Sequence, residues 1–229
     1  MSMSKVYNIQ CPACGVQQDV ELYEVVNAAE NPELKQSLMQ NQLNRVGCKD
    51  CDANFRIDMP LLYTDPAHNI QIHWIPESEG LTQEQIIEDF DLSLEEINKL
   101  MPGSVVGPNI RLVLTRVELV ELIFMIEEGF NHRVVEYVKY NIHTRNMQKA
   151  NPAKVQLLLN VQDSTDDELC FVLQDVASQT LQRGGLRYGR AAYESLCELY
   201  KEDEDEFQDM FPGPYISARD LLLEEHSPA

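Results

Sequence analysis

Two cysteine pairs in the first quarter of this chain constrain it more than anything else. They are Cys11-Pro12-Ala13-Cys14, followed by Gly15, and Cys48-Lys49-Asp50-Cys51, followed by Asp52. Sulfurs three positions apart on a tight turn point at one locus. Two such turns facing each other supply four soft ligands at tetrahedral corners, the shell Zn²⁺ takes in a closed structural site. The turn needs a residue at positive φ after its second sulfur. Gly15 meets that need without a clashing Cβ, and Asp52 tolerates the left-handed region better than most residues. The spacing therefore predicts one structural zinc on Cys11, Cys14, Cys48 and Cys51, with a disulfide or redox pair and an iron site as the alternatives. A metal in so small a unit would carry much of its folding free energy.

The surrounding pattern predicts an α+β chain. Val20 and Leu22 alternate with polar neighbours after the first pair, and Phe55, Ile57 and Met59 after the second, so each pair belongs on the turn of a β-hairpin. A further hairpin is expected from 61–63 and 70–75 around the turn Asp65–Asn69, with Ile70, Ile72 and Trp74 on one face and Gln71 and His73 on the other. Between the pairs, Asn31-Pro32-Glu33 reads as a helix start, with Leu34, Leu38, Met39 and Leu43 following at helical spacing. Residues 1–75 thus form a β-rich first domain with a helical insert.

Residues 76–108 read as an acidic connector of two short helices. Thr82 with Gln85 caps one and Ser93 with Glu96 the other, before breaks at Pro102-Gly103 and Gly107-Pro108. Residues 109–200 read as a second α+β domain, comprising a helix pair, a β-hairpin and a C-terminal helix. Its elements are a strand at 110–114, an apolar helix capped by Thr115 with Glu118 and ended by Gly129, and a helix over 132–149 with Val134, Val138 and Ile142 in a stripe. After these come a hairpin of Val155–Val161 and Leu169–Leu173, and a helix over 188–200 with Ala191, Ala192, Leu196 and Leu199 turned inward. Residues 201–229 read as an acidic C-terminal tail in which Leu221–Leu223 need cover.

Acids outnumber bases 38 to 18, a net charge of −20. Such a surface repels phosphate backbones and anionic lipid, so nucleic acid and membrane are poor partners. No apolar run reaches the roughly 18 residues that span a bilayer, and Met1–Lys5 leads into the first cysteine turn without a signal-peptide core. A cytoplasmic protein is expected, in a reducing compartment where paired cysteines are metal ligands more often than disulfides. Cys170 and Cys197, in apolar surroundings, read as small buried hydrophobes.

Several of these strings together, namely Cys11-Pro12-Ala13-Cys14-Gly15, Asn31-Pro32-Glu33-Leu34, Leu43-Asn44, Cys48, Cys51 and Pro60-Leu61-Leu62-Tyr63-Thr64-Asp65-Pro66, resemble the bacterial CpXC protein family. The resemblance is clear over residues 8–75, and the helix pair Thr115–Lys149 is similar to the segment beyond this domain in longer members. It implies a zinc-ribbon-type domain and carries no activity. The second pair departs from the family pattern at Lys49, where Pro is usual, and at Asp52, where Gly is common.

No phosphate-cradling loop, nucleophile elbow or His-Glu-x-x-His pattern is present. Four thiolates fill a zinc shell and leave no open position for catalysis. His68 and His73 could make a second site, although a hairpin surface is the plainer reading. Lys49 beside Cys48 could offset the charge of a four-thiolate centre. His132, Glu136, Tyr140 and His143 share a broad helix face that is either a proton-transfer row or simply polar. Arg183, Arg187 and Arg190, among glycines at the mouth of the last helix, form a possible anion-binding island. The plainer account there is a glycine-rich turn whose arginines pair with the chain's own acids. The favoured function is a zinc-holding protein–protein interaction module. A nucleic-acid-binding ribbon and an enzyme or anion-binding protein using the arginine island are the alternatives.

Overall fold

Strands β1 (Met3–Gln10) and β2 (Gln17–Asn27) form the first expected hairpin, with the Cys11–Cys14 turn at its tip. The computed structural model to which they belong describes residues 1–78, 80–100 and 109–226, so the breaks at Pro102-Gly103 and Gly107-Pro108 lie outside the described residues. Helix α1 (Pro32–Met39) starts at the expected proline but stops before Leu43. Asn41 and Asn44 adopt left-handed backbone there, which asparagine tolerates and a helix does not continue through. Strands β3 (Arg45–Gly47) and β4 (Asn54–Arg56) then pair as a ribbon around the Cys48–Cys51 turn.

Strands β5 (Leu61–Asp65) and β6 (Ile70–Trp74) form the further hairpin, with Ile70, Ile72 and Trp74 buried and Gln71 and His73 half-buried, the alternation the pattern predicts. Helix α2 (Gln83–Leu100) is one helix where two were expected. Thr82 and Gln85 do form a reciprocal cap, but the Ser93 hydroxyl donates back to the Asp89 carbonyl and starts nothing new. Strand β7 (Asn109–Val113), which by sequence opens the second domain, lies parallel to β6 and completes a five-stranded sheet of order β1-β2-β5-β6-β7. The chain divides into two compact units, Met1–Val120 and Glu121–Ala229. The boundary falls within helix α3 (Arg116–Glu127), whose start carries the predicted cap: Thr115 Oγ1 accepts from Glu118 N, and the Glu118 carboxylate accepts from Leu114 N and Thr115 N.

In the second unit Gly129 (φ 73°) ends α3 as expected. Helix α4 (His132–Arg145) buries the Val134, Val138 and Ile142 stripe. Strands β8 (Val155–Asn160) and β9 (Glu168–Asp175) form the predicted hairpin, and β10 (Leu181–Gly189) adds a third strand on β9. That strand was hidden by its glycines. Gly184 takes positive φ, and a Cβ on Gly185 would sit 2.8 Å from the Phe171 carbonyl, so the close approach excludes any side chain.

Helix α5 (Arg190–Glu202) turns a different face inward from the one expected. Tyr193 is buried and Leu196, Cys197 and Tyr200 half-buried, whereas Ala191, Ala192 and Leu199 are exposed. The aromatic ring decides the register: Tyr193 packs on Phe130 at 5.5 Å, and its hydroxyl accepts from Asn131 N at 2.9 Å. The terminal segment is no loose acidic tail. Helices α6 (Glu204–Met210) and α7 (Ala218–Glu225) bury Phe207, Phe211, Ile216, Ala218 and Leu222, with Tyr137 and Tyr140 of α4 packed against this cluster.

Candidate metal centre

The two cysteine turns are built alike. Cys11 N donates to Val16 O at 2.8 Å and Cys48 N to Ala53 O at 2.7 Å, so each loop closes over the same number of residues. The residue after each second sulfur is left-handed, Gly15 at φ 76° and Asp52 at φ 56°, as the turn chemistry requires. Gln18 of β2 then clasps the second turn, its amide donating to Gly47 O and accepting from Lys49 N, both at 2.9 Å. Asn44, buried nearby, accepts from Tyr23 N and donates to Tyr23 O, tying the ribbon to β2 as a neighbouring strand would. Neither clasp shows in a cysteine pattern, because both join residues far apart in the chain.

These turns bring four sulfurs together, all within 4.8 Å of one another. Cys11 Sγ lies 3.8 Å from Cys51 Sγ, and Cys14 Sγ 3.6 Å from Cys48 Sγ. A tetrahedron with metal–sulfur bonds of about 2.3 Å has edges of about 3.8 Å, so the donor set fits a metal ion without rearrangement. None of the six cysteines is in a disulfide. The electrostatics point the same way. Backbone N–H groups of Cys14 and Ala13 and the neighbouring thiols draw the Cys11 thiol down to about 7, against the opposing effect of burial. At Cys51 the Ala53 N–H favours the thiolate, but the thiols of Cys14, Cys48 and Cys11 outweigh it and push that group up to about 12. One thiolate forms readily; further ones repel it, until a cation takes the place of the remaining protons. Asp50 N points at Cys48 Sγ from 3.4 Å, the kind of backbone support that steadies a thiolate ligand.

A family model described as CpXC protein matches residues 9–139. The chain belongs to the CpXC family. The match includes all four cysteines and reaches through α3 into α4. No curated protein and no solved structure matches the chain. No described helix of this CpXC protein is long and apolar enough to cross a membrane.

The other candidate residues fall elsewhere. His68 Nδ1 lies 2.9 Å from the buried Asp65 carboxylate, which Lys35 also approaches at 3.6 Å. His73 instead packs edge-on against Phe90 at 5.0 Å, and the two histidines make no joint site. Lys49 is exposed. On α4, the row of His132, Glu136, Tyr140 and His143 is no solvated face, since Glu136 and His143 are buried. Its organising member is one the pattern did not single out. Lys139, buried, donates to Glu136 at 2.7 Å and lies 2.8 Å from buried Glu121, while Leu159 N and Ala218 N supply further donors to the two carboxylates. Burial alone would lower the Lys139 ammonium; Glu121 and Glu136 outweigh it and raise it.

Arg183 and Arg187 stand on exposed β10, and Arg190 opens α5. Arg187 donates to Asp163 O at 3.1 Å and Arg190 to Thr165 O at 2.8 Å, with the Arg190 guanidinium over the Phe130 ring. Their visible task is to hold the β8–β9 turn. Cys170 is buried and Cys197 half-buried, its thiol held up by burial.

Proposed function

We propose that Cys11, Cys14, Cys48 and Cys51 hold one structural Zn²⁺, and that the unit it stabilises works as a protein–protein interaction module in a reducing cytoplasm. The observation that carries this reading is the all-sulfur shell at tetrahedral separations. Four thiolates satisfy zinc and dissipate its Lewis acidity, so an ion there shapes the fold and leaves no position for substrate. The charge of −20 favours basic protein surfaces over nucleic acid. Elemental analysis of reduced, purified protein tests the metal: about one zinc per chain is expected, and a folded chain without near-stoichiometric metal overturns the reading. Affinity capture from native cells tests the module, which predicts the same protein partner recovered with wild-type and lost with a Cys11→Ser/Cys14→Ser variant.

A further inference from the structure

Away from the sulfur cluster, a cavity of about 540 Å³ opens on the first unit. Its wall is largely apolar, with half-buried Met59, Leu62 and Ile75 contributing, and three polar side chains line it as well: Tyr7, Glu24 and His73. Glu24 owes its position to an irregularity in β2. Met3 faces Val25 while Ser4 faces Tyr23, so Glu24 is the extra residue of a β-bulge. Bulges re-aim a side chain out of strict alternation. This one lies where β2 changes partners, since Val25 is also the first residue of β2 aligned in parallel with β5, opposite Leu62.

The Glu24 carboxylate accepts a hydrogen bond from the Tyr7 hydroxyl. That hydroxyl is held above its ordinary pKa by the same bond and by burial, and remains a donor at neutral pH. Among the described residues no lysine or arginine forms an ion pair with Glu24; the nearby Lys5 ammonium stands over the Tyr7 ring, 5.5 Å from its centroid. Burial lowers the pKa of His73, so the ring is neutral. The cavity therefore sets a carboxylate without a cation against an apolar wall, on a molecule of strongly negative charge.

We propose that this groove receives a basic side chain of a partner protein, its cation pairing with Glu24 while flanking apolar residues of the same segment cover Met59, Leu62 and Ile75. The inference rests on the interaction-module reading and names the chemistry of the partner. Glu24 repels anions, and a wholly apolar occupant would strip water from the carboxylate without replacing it. A cation with an apolar body satisfies both surfaces, and long-range attraction to the acidic chain speeds its arrival.

The test uses ¹⁵N-labelled full-length protein titrated with acetyl-leucyl-lysyl-leucine amide and with its norleucine and glutamate counterparts. The signals followed are the amides of Glu24, Leu62, His73 and Ile75, all of which line the groove. The lysine peptide is expected to shift these signals and to bind about 10-fold more tightly than the norleucine peptide. The glutamate peptide should leave them in place, and Glu24→Gln should erase the lysine preference with the rest of the spectrum unchanged. Equal binding of lysine and norleucine peptides, shifts confined to other residues, or no shift at millimolar peptide overturns the proposal. So do concentration-dependent shifts of these signals without peptide, which would make a second copy of the chain the occupant. If the groove fails while zinc stoichiometry and a captured partner stand, the module reading survives with its docking surface elsewhere.

Discussion

Each unit gathers ionisable side chains at one point, the first in a half-exposed cluster and the second in its interior, and they solve the resulting problem differently. The first gathers four thiols at one point, a cluster placed to hold a cation. The second gathers Glu121, Lys139 and Glu136, which neutralise each other largely from within and use backbone N–H groups for the remaining valences. On the proposed reading the first arrangement is completed from outside the chain; the second is self-contained. Buried ion groups seldom add net stability over an apolar replacement, but they are costly to break singly. Stability in the first unit should therefore track metal supply, and in the second it should track the completeness of the triad.

The sharpest way to break this contrast is at a sulfur. Cys48→Ser is expected to abolish stoichiometric metal binding and to remove stabilisation on the order of 10 kcal/mol. Hydrogen exchange should then accelerate through β1–β4, as it should in wild-type protein after chelation; protection that persists there refutes metal dependence. Next comes the triad. Lys139→Met leaves two carboxylates facing each other and should cost about 3–5 kcal/mol in urea denaturation. The triple variant Glu121→Gln/Glu136→Gln/Lys139→Met should recover most of this, because amide oxygens can still accept from Leu159 N and Ala218 N. A triple variant less stable than the single one would show that the charges themselves are favourable.

A smaller effect sharpens the metal side. Gln18→Ala removes the clasp on Gly47 and Lys49, and should weaken zinc affinity about 10-fold at unchanged stoichiometry, read by competition with a chromophoric chelator.

The smallest effect is a pH dependence in the second unit. Burial, with help from the charges of Lys139 and Arg219 and against the Ala150 carbonyl and Glu136, lowers the pKa of His143 below the ordinary 6.5. Below that pH the unfolded chain takes up a proton that the folded one refuses, so stability falls as pH drops until the folded imidazole itself titrates. The slope contributed is at most about 1.4 kcal/mol per pH unit. His143→Gln should flatten the pH 7 to 5 profile of urea midpoints in part, the residual slope of the same sign coming from groups such as half-buried His73.

Legibility in the sequence divides along the same line. The cysteine turns were legible because a knuckle is local: four residues, a fixed spacing and a left-handed fifth position leave a signature in contiguous text. The hairpin of Leu61–Trp74 was legible for the same reason, through its two-residue period. Gln18, Asn44, Glu121 and Lys139 were not, since each takes its role from a partner brought close only by tertiary folding. Strand β10 was masked by Gly184 and Gly185, which look like loop residues until the Phe171 carbonyl shows why a side chain is excluded. The inward face of α5 differs from the expected one because Ala191, Ala192, Leu196 and Leu199 make a plausible stripe, whereas the ring of Tyr193 has a socket beside Phe130 and keeps only Leu196 of that stripe half-buried.

Two close sulfur approaches run between the knuckles: residue 11 meets 51, and residue 14 meets 48, partners 40 and 34 positions apart. Peroxide acting on the metal-stripped chain in this shape would stitch across the ribbon, and each bond would restrict the unfolded chain by about 4 kcal/mol. Oxidative damage would then lock the domain shut instead of springing it apart, and peptide mapping would find the crossed linkages.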